Sequence, residues 1–184
     1  MPRKQSISRQ QILDTAFEIT RQEGVDSLTA RRIAQKAECS TQPIFREYQS
    51  MEEVCVDVYE KSADFFEDFY EFYPKMGKNP YVNLGMAYIA FAKSEKNLFR
   101  FLFLSKWKHK TMLELMDGKN ENVSAEINRA IQEGYEDAEG LFTEMWMFVH
   151  GAACMALTDD YHFSDVQLLA LLERTYGAFA EKLV

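Results

Sequence analysis

Apolar residues recur at helical spacing along almost the whole chain. Ile12, Ala16, Ile19 and Thr20, joined by Leu13 and Phe17, line one face of a segment spanning about 8–23. Ser8 stands where an N-cap is needed and Gly24 where a helix stops. Val25 and Leu28 then tuck a short connection under that helix. Thr29 opens a second helix reaching about Lys36, with Ile33, Ala34 and Ala37 turned inward. A tight turn over 37–40 follows. Ser40 is expected to cap a third short helix that ends near Tyr48. Pro43 falls in its first turn, where the missing N–H breaks no intrahelical bond. The Ser40 hydroxyl should then accept from the N–H of Gln42, because Pro43 has none.

The rest of the pattern is also helical. A long helix is expected over 51–73, broken by Pro74, Gly77 and Pro80. Further helices are expected over 81–93, over 97–107 with a continuation through 112–116, and over 123–136, 141–158 and 166–184. A loop is expected over 118–122. No alternating strand pattern of useful length and no internal repeat interrupts the series. The fold class is therefore all-α, with about nine helices. A three-helix helix-turn-helix head over 1–50 precedes a helical bundle body over 51–184. Eight glycines and four prolines in 184 residues agree with long, rarely interrupted helices.

Composition narrows the class. Hydrophobic residues at 47% and charged residues at 27% describe a globular chain, not a disordered one. The N-terminal segment is polar and basic with no apolar stretch behind it. The uncharged run 145–158, unexceeded elsewhere in the chain, is short for a bilayer, so no membrane partner is expected. Cys39, Cys55 and Cys154 are scattered and form no disulfide framework, which suits a cytoplasmic protein. The net charge of −8 looks wrong for a nucleic-acid binder until it is divided. Residues 1–50 carry 8 basic and 6 acidic side chains, and the remainder carry 13 and 23. A weakly basic head sits on an acidic body.

Two short capped helices joined by a four-residue turn meet the requirements of a DNA-reading unit. Ala34 is small where the second helix must approach the third, and Leu28, Ile33, Ala37, Ile44 and Phe45 supply a compact core. Thr41, Gln42 and Arg46 should be exposed on the third helix, where their side chains can read base edges or hold phosphate. The starts of the two helices, at Thr29 and Ser40, offer N–H groups to phosphate oxygens. Arg3, Lys4, Arg31, Arg32 and Lys36 add positive charge. Pro43 lies on the same surface. Phe45 and Tyr48 are expected mainly in the core, with an edge left for a phosphate or a thymine methyl.

Residues 9–55, RQQILDTAFEITRQEGVDSLTARRIAQKAECSTQPIFREYQSMEEVC, resemble the DNA-binding head of the tetracycline-repressor (TetR) family. Gly24, Thr29, Ile33-Ala34, Ser40, Phe45, Tyr48 and Glu52-Glu53 follow that family's order and spacing. Three positions depart from it: Glu38 stands where the family usually has a turn glycine, Phe45 where it has a tyrosine that reaches phosphate, and Met51 near a customary lysine. In the body, 88–92, 98–103 and Trp146-Met147-Phe148-Val149-His150-Gly151 are similar to the family's fifth, sixth and eighth helices. The resemblance implies a homodimer built from the last two helices of each protomer, a palindromic operator in double-stranded DNA, and a small-molecule effector.

Aromatic residues at 14% exceed what a small bundle needs. An effector pocket is therefore expected between the helices of 51–116 and 141–158, with Phe66, Tyr70, Met86, Phe91, Phe99, Phe103, Trp107, Trp146 and His150 as candidate lining. The ligand should be apolar or amphipathic. The apolar faces of 141–158 and 166–184, including Leu172 and Phe179, are expected to meet a second copy. His109, His150 and His162 have no metal-binding spacing, and no nucleophile–base or paired-acid constellation appears, so neither cofactor, metal nor enzymatic activity is expected. The alternative to a ligand-responsive repressor is a DNA-binding chromosome-organisation or division factor without an effector.

Overall fold

A computed structural model describes residues 7–117, 122–132 and 137–181. Arg3, Lys4, most of the loop expected over 118–122 and the last turns expected after 132 and 181 lie outside these residues. Among the described residues there are ten α-helices and no strand. They are α1 Arg9–Glu23, α2 Ala30–Lys36, α3 Ile44–Glu47, α4 Met51–Phe72, α5 Pro80–Ser94, α6 Lys96–Phe99, α7 Met112–Asp117, α8 Asn122–Gln132, α9 Ala138–Leu157 and α10 Asp165–Ala180. A 3-10 turn, Val25–Ser27, follows α1, and α6 runs into a π-helical turn, Arg100–Leu104. The helix expected over 97–107 is thus two short pieces, and the 112–116 continuation is a separate helix.

Two compact units are formed. One comprises the residues up to Phe65 together with Glu95–His109, and the other comprises Phe66–Ser94 with the residues from Lys110 onward. The first unit extends beyond residue 50 because α6 packs on α1. Asn97 Nδ2 donates to the Arg21 carbonyl at 3.0 Å, and Arg21 forms a bidentate pair with Glu95. Tyr59 on α4 donates to the Leu102 carbonyl at 3.2 Å, so residues 95–109 are stitched to both α1 and α4.

The caps of the first unit follow the sequence. Ser8 and Gln11 make a reciprocal capping box, and Gly24, at φ 87°, ends α1 with its N–H on the Thr20 carbonyl. Thr29 accepts from the Arg32 N–H and starts α2. Ile12, Ala16, Ile19, Ile33 and Ile44 are fully or nearly fully buried and form the head core.

In the second unit α5 is buried almost all round, from Tyr81 to Ile89. A helix apolar on every face belongs at the centre of a bundle. Here α5 is surrounded by α8, α9 and α10. Pro80 is its first residue, a favourable place for proline, and Asn79 Oδ1 accepts the Tyr81 N–H at 2.8 Å. Gly85 lets α9 and α10 come close: a β-carbon there would lie 2.9 Å from Val149 Cγ2 and 3.3 Å from Leu172 Cδ1. Leu172 is therefore part of the protomer's own core, fully buried, and not free for a second copy. By length and composition α9 could cross a membrane. Its buried side, including Leu141, Met145, Val149 and Ala153, belongs to the bundle, as in the core helix of a folded domain.

Candidate nucleic-acid interface and body cavity

The turn between α2 and α3 is a Schellman motif. Cys39 N–H donates to the Ala34 carbonyl at 2.9 Å and Glu38 N–H to the Gln35 carbonyl at 3.3 Å. Such a motif needs one residue at positive φ, and here it is Glu38, at φ 52°. The third helix then begins later than expected. Thr41 carbonyl accepts from Ile44 N–H at 3.1 Å and from Phe45 N–H at 3.3 Å, so helical bonding starts there, and Ser40 is not the cap. The start of α3 has no side-chain cap, and its first main-chain bonds run to the Thr41 carbonyl. The result is a single-turn α3.

That turn presents Ser40, Thr41, Gln42, Phe45 and Arg46 to solvent. Phe45 is 52% exposed, contrary to its expected place in the core. Tyr48 is the residue that goes inside: it is 1% exposed and its hydroxyl donates to Asp57 Oδ2 at 3.0 Å. Pro43 is half-buried beside them. Gln42, Pro43 and Arg46 line an open depression with residues 37–40 and Gln11, Asp14 and Thr15 of α1. On α2, Arg31 and Lys36 are exposed. Lys36 Nζ donates to Gln22 Oε1 at 2.8 Å, while Arg32 is held by both carboxylate oxygens of Glu23. That pairing holds the Glu23 carboxyl below its usual range. Thr29 is exposed, with its hydroxyl occupied by the cap.

A cluster that sequence reasoning missed fixes this surface. Arg9 donates to the Glu47 carbonyl at the end of α3 at 3.0 Å, to Glu53 Oε1 at 2.8 Å and to Asp57 Oδ2 at 2.9 Å. Its guanidinium lies 4.1 Å from the centre of the Tyr48 ring. The carboxylates of Glu53 and Asp57 raise the Arg9 pKa, and burial raises that of Tyr48. One side chain therefore ties α1, the end of α3 and the start of α4. The available signal was an arginine in the first turn of a helix, where the dipole disfavours a cation.

Residues 12–58 match the family model described as bacterial regulatory proteins, tetR family. They are a tetR-family head. The fold of the whole chain is similar to a TetR family transcription regulator from Marinobacter aquaeolei VT8, with 16% identity, TM-score 0.67, and coverage of 92% of this chain and 94% of that one. It is also similar to a TetR family protein from Vibrio parahaemolyticus, with 21% identity, TM-score 0.66 and coverage of 92% and 97%. A TetR-like transcriptional regulator from Rhodococcus sp. RHA1 gives 16% identity, TM-score 0.57 and coverage of 95% and 96%. No curated protein matches the chain.

Behind the tetR-family head, the candidate effector residues divide. Phe99, Phe103 and Trp107 belong to the first unit, and Phe66, Tyr70, Met86, Phe91, Trp146 and His150 to the second. Phe66 is buried and packs edge-on against Tyr88 and Phe91. Tyr70 is half-buried under the Lys75 ammonium. His150 Nδ1 is 2.9 Å from the Tyr88 hydroxyl, and Trp146 stands edge-on to the Tyr88 ring. The second unit also holds a cavity of about 340 Å³, lined by Phe69, Tyr73, Met86, Ala90, Lys93, Ser94, Asp165 and Leu168. Met86 is the expected residue among them. Two of its walls come from the start of α10, where the sequence pointed to 141–158.

Proposed function

We propose that this protein is a ligand-responsive transcriptional regulator, a repressor that binds a palindromic operator as a homodimer and is released by a small amphipathic effector. One observation carries the reading. Thr41 and Gln42 just before the single-turn α3, and Phe45 and Arg46 on it, are exposed together, with the exposed Arg31 and Lys36 on α2. Polar readers, an apolar contact and phosphate-binding cations are the three things a major groove requires of a recognition element.

The dimer reading is supported by what α9 and α10 leave uncovered. Met147 is 69% exposed, Met155 47% and Val166 72%, and among the described residues a β-carbon on Gly151 or Gly177 would meet nothing within 4 Å. Apolar and small residues left open on two adjacent helices suit close approach by a second copy. Since Leu172 is core, the charge that tests this interface belongs at Met147 or Met155. Met147→Glu should give a monomer in sedimentation at micromolar concentration with unchanged helix content.

The experiment for function is mapping of bound sites across the source genome, followed by titration of a recovered duplex with increasing salt. A dimer should bind two half-sites about one helical turn or somewhat more apart. Binding no tighter than to a random duplex would refute the reading. Effector response is a second measurement on the same duplex: loss of binding on addition of a small molecule that also raises the melting temperature.

A further inference from the structure

The cavity of the second unit has an apolar interior and two charges at its rim. Phe69, Tyr73, Met86, Ala90 and Leu168 supply aromatic, thioether and aliphatic surface, while Lys93 and Asp165 supply an ammonium and a carboxylate. Each charge suits the helix end that carries it: Lys93 is in the last turn of α5 and Asp165 in the first turn of α10. That preference does not explain why two opposite charges border one cavity without pairing. Lys93 lies over the face of Tyr161, with its Nζ 5.6 Å from the ring centre. Tyr161, in turn, has a buried hydroxyl without a hydrogen-bond partner among the described residues. Both charges are therefore open to a guest in the cavity that carries the opposite charges.

Size sets the second constraint. About 340 Å³ lies at the lower end of the volumes that hold small molecules. The cavity suits a guest with one ring or one branched chain.

We infer that this cavity binds a small zwitterion with an apolar side chain, an apolar α-amino acid or a molecule of the same shape. Its carboxylate faces Lys93, its ammonium faces Asp165, and its side chain lies among Phe69, Tyr73, Met86 and Leu168. The inference rests on the ligand-responsive reading only for its consequence on DNA; the binding itself stands alone.

The test uses the full chain without DNA. L-Phenylalanine, L-tryptophan and L-leucine are titrated by calorimetry against 3-phenylpropanoate, which lacks the amine, and phenethylamine, which lacks the carboxylate; L-serine is the polar control. Saturable binding of at least one apolar amino acid is expected, with each one-charge analogue weaker by about tenfold or more, the loss typical of one charged hydrogen bond. Lys93→Met should erase the disadvantage of phenethylamine, and Asp165→Asn that of 3-phenylpropanoate. Both substitutions are at the surface and leave the core intact. Equal binding of all three phenyl compounds, or saturable binding of none, overturns the proposal. The same amino acid is then added to the protein on its mapped duplex. Binding without any change in DNA affinity keeps the site and removes its regulatory role. Release of DNA by other molecules, with no amino acid bound, removes the site and keeps the regulator.

Discussion

Glu38 holds a backbone conformation that suits glycine. It occupies the one position of the α2 Schellman turn that requires positive φ, at 52°. For an L-residue with a β-carbon the left-handed region costs about 1–2 kcal/mol. Glycine removes that cost but brings more freedom to the unfolded chain, which takes back roughly 0.5–1 kcal/mol. Glu38→Gly should therefore stabilise the protein by about 0.5–1 kcal/mol, a rise of roughly 1–4 °C in melting temperature for a chain of this size. A second effect acts through charge. The carboxylate follows the C-terminus of α2, where the helix dipole already presents negative potential, and removing it gains about 0.3–1 kcal/mol at low salt.

The two effects separate by substitution and by salt. Glu38→Gln removes the charge and keeps the β-carbon, so it should gain stability only at low ionic strength. Glu38→Gly should keep its advantage over Glu38→Gln in 1 M salt, where the Debye length has fallen to about 3 Å. On the proposed DNA face, Glu38 borders the same depression as Gln42 and Arg46. Both variants should therefore tighten binding to a mapped duplex alike, because they remove the same anion from beside the phosphates. Thermal unfolding by circular dichroism at two salt concentrations and anisotropy titration on one duplex measure all of this. Equal melting temperatures for the glycine and glutamine variants in high salt would refute the strain argument.

Other consequences follow from the same geometry. Gln42→Ala should relax base preference at one position per half-site at a cost of about 1–3 kcal/mol, whereas Lys36→Ala should weaken all sequences alike and lower the salt slope by about one unit per half-site; no change on Gln42→Ala would remove the segment from Thr41 to Arg46 as the reading element. Phe45→Tyr, at a side chain 52% exposed, should tighten binding without altering preference, because a new phosphate contact carries no sequence information. Gly85→Ala should destabilise by about 1–3 kcal/mol, less whatever helix propensity returns, since its β-carbon would lie 2.9 Å from Val149 Cγ2; chemical denaturation reads the loss. Glu53 is held below its ordinary value of 4.5 first by the Gln49 N–H and then by Arg9, so the stability it contributes is present above that value and is lost as the pH falls through its folded value. Acid titration of Glu53→Gln should show a shallower loss over that window. Burial pushes the Cys55 thiol up to about 11, so it should resist alkylation at pH 8 until the protein unfolds, while half-exposed Cys39 reacts and is protected by DNA.

What the sequence disclosed was governed by locality. Ser8, Gly24 and Thr29 were legible because a cap is a contract between residues three or four apart. The apolar stripe of α1 was legible for the same reason, since helical periodicity is written within one turn. Phe45 and Tyr48 are three residues apart on a one-turn helix, and an aromatic at either position fits the pattern of an inward face. Which of them turns inward is decided by Asp57 and Arg9, partners nine and 39 positions away, and that information is absent from the local pattern. The same distance effect explains the cavity. An excess of aromatic residues announces that apolar surface is plentiful, but not which rings are used up in packing. Phe99 and Phe103 pair with each other in the first unit, with ring centres 4.9 Å apart, and Phe66 is locked against Tyr88 and Phe91. Phe69 also packs edge-on against Phe91 and stacks with Tyr73, and these two rings line the cavity where α10, more than ninety residues on, brings Asp165 and Leu168. The caps of α1 and α2 could thus be read residue by residue, whereas the start of α3 and the outward turn of Phe45 could not, and a pocket defined by the meeting of distant helices could be read only as a composition.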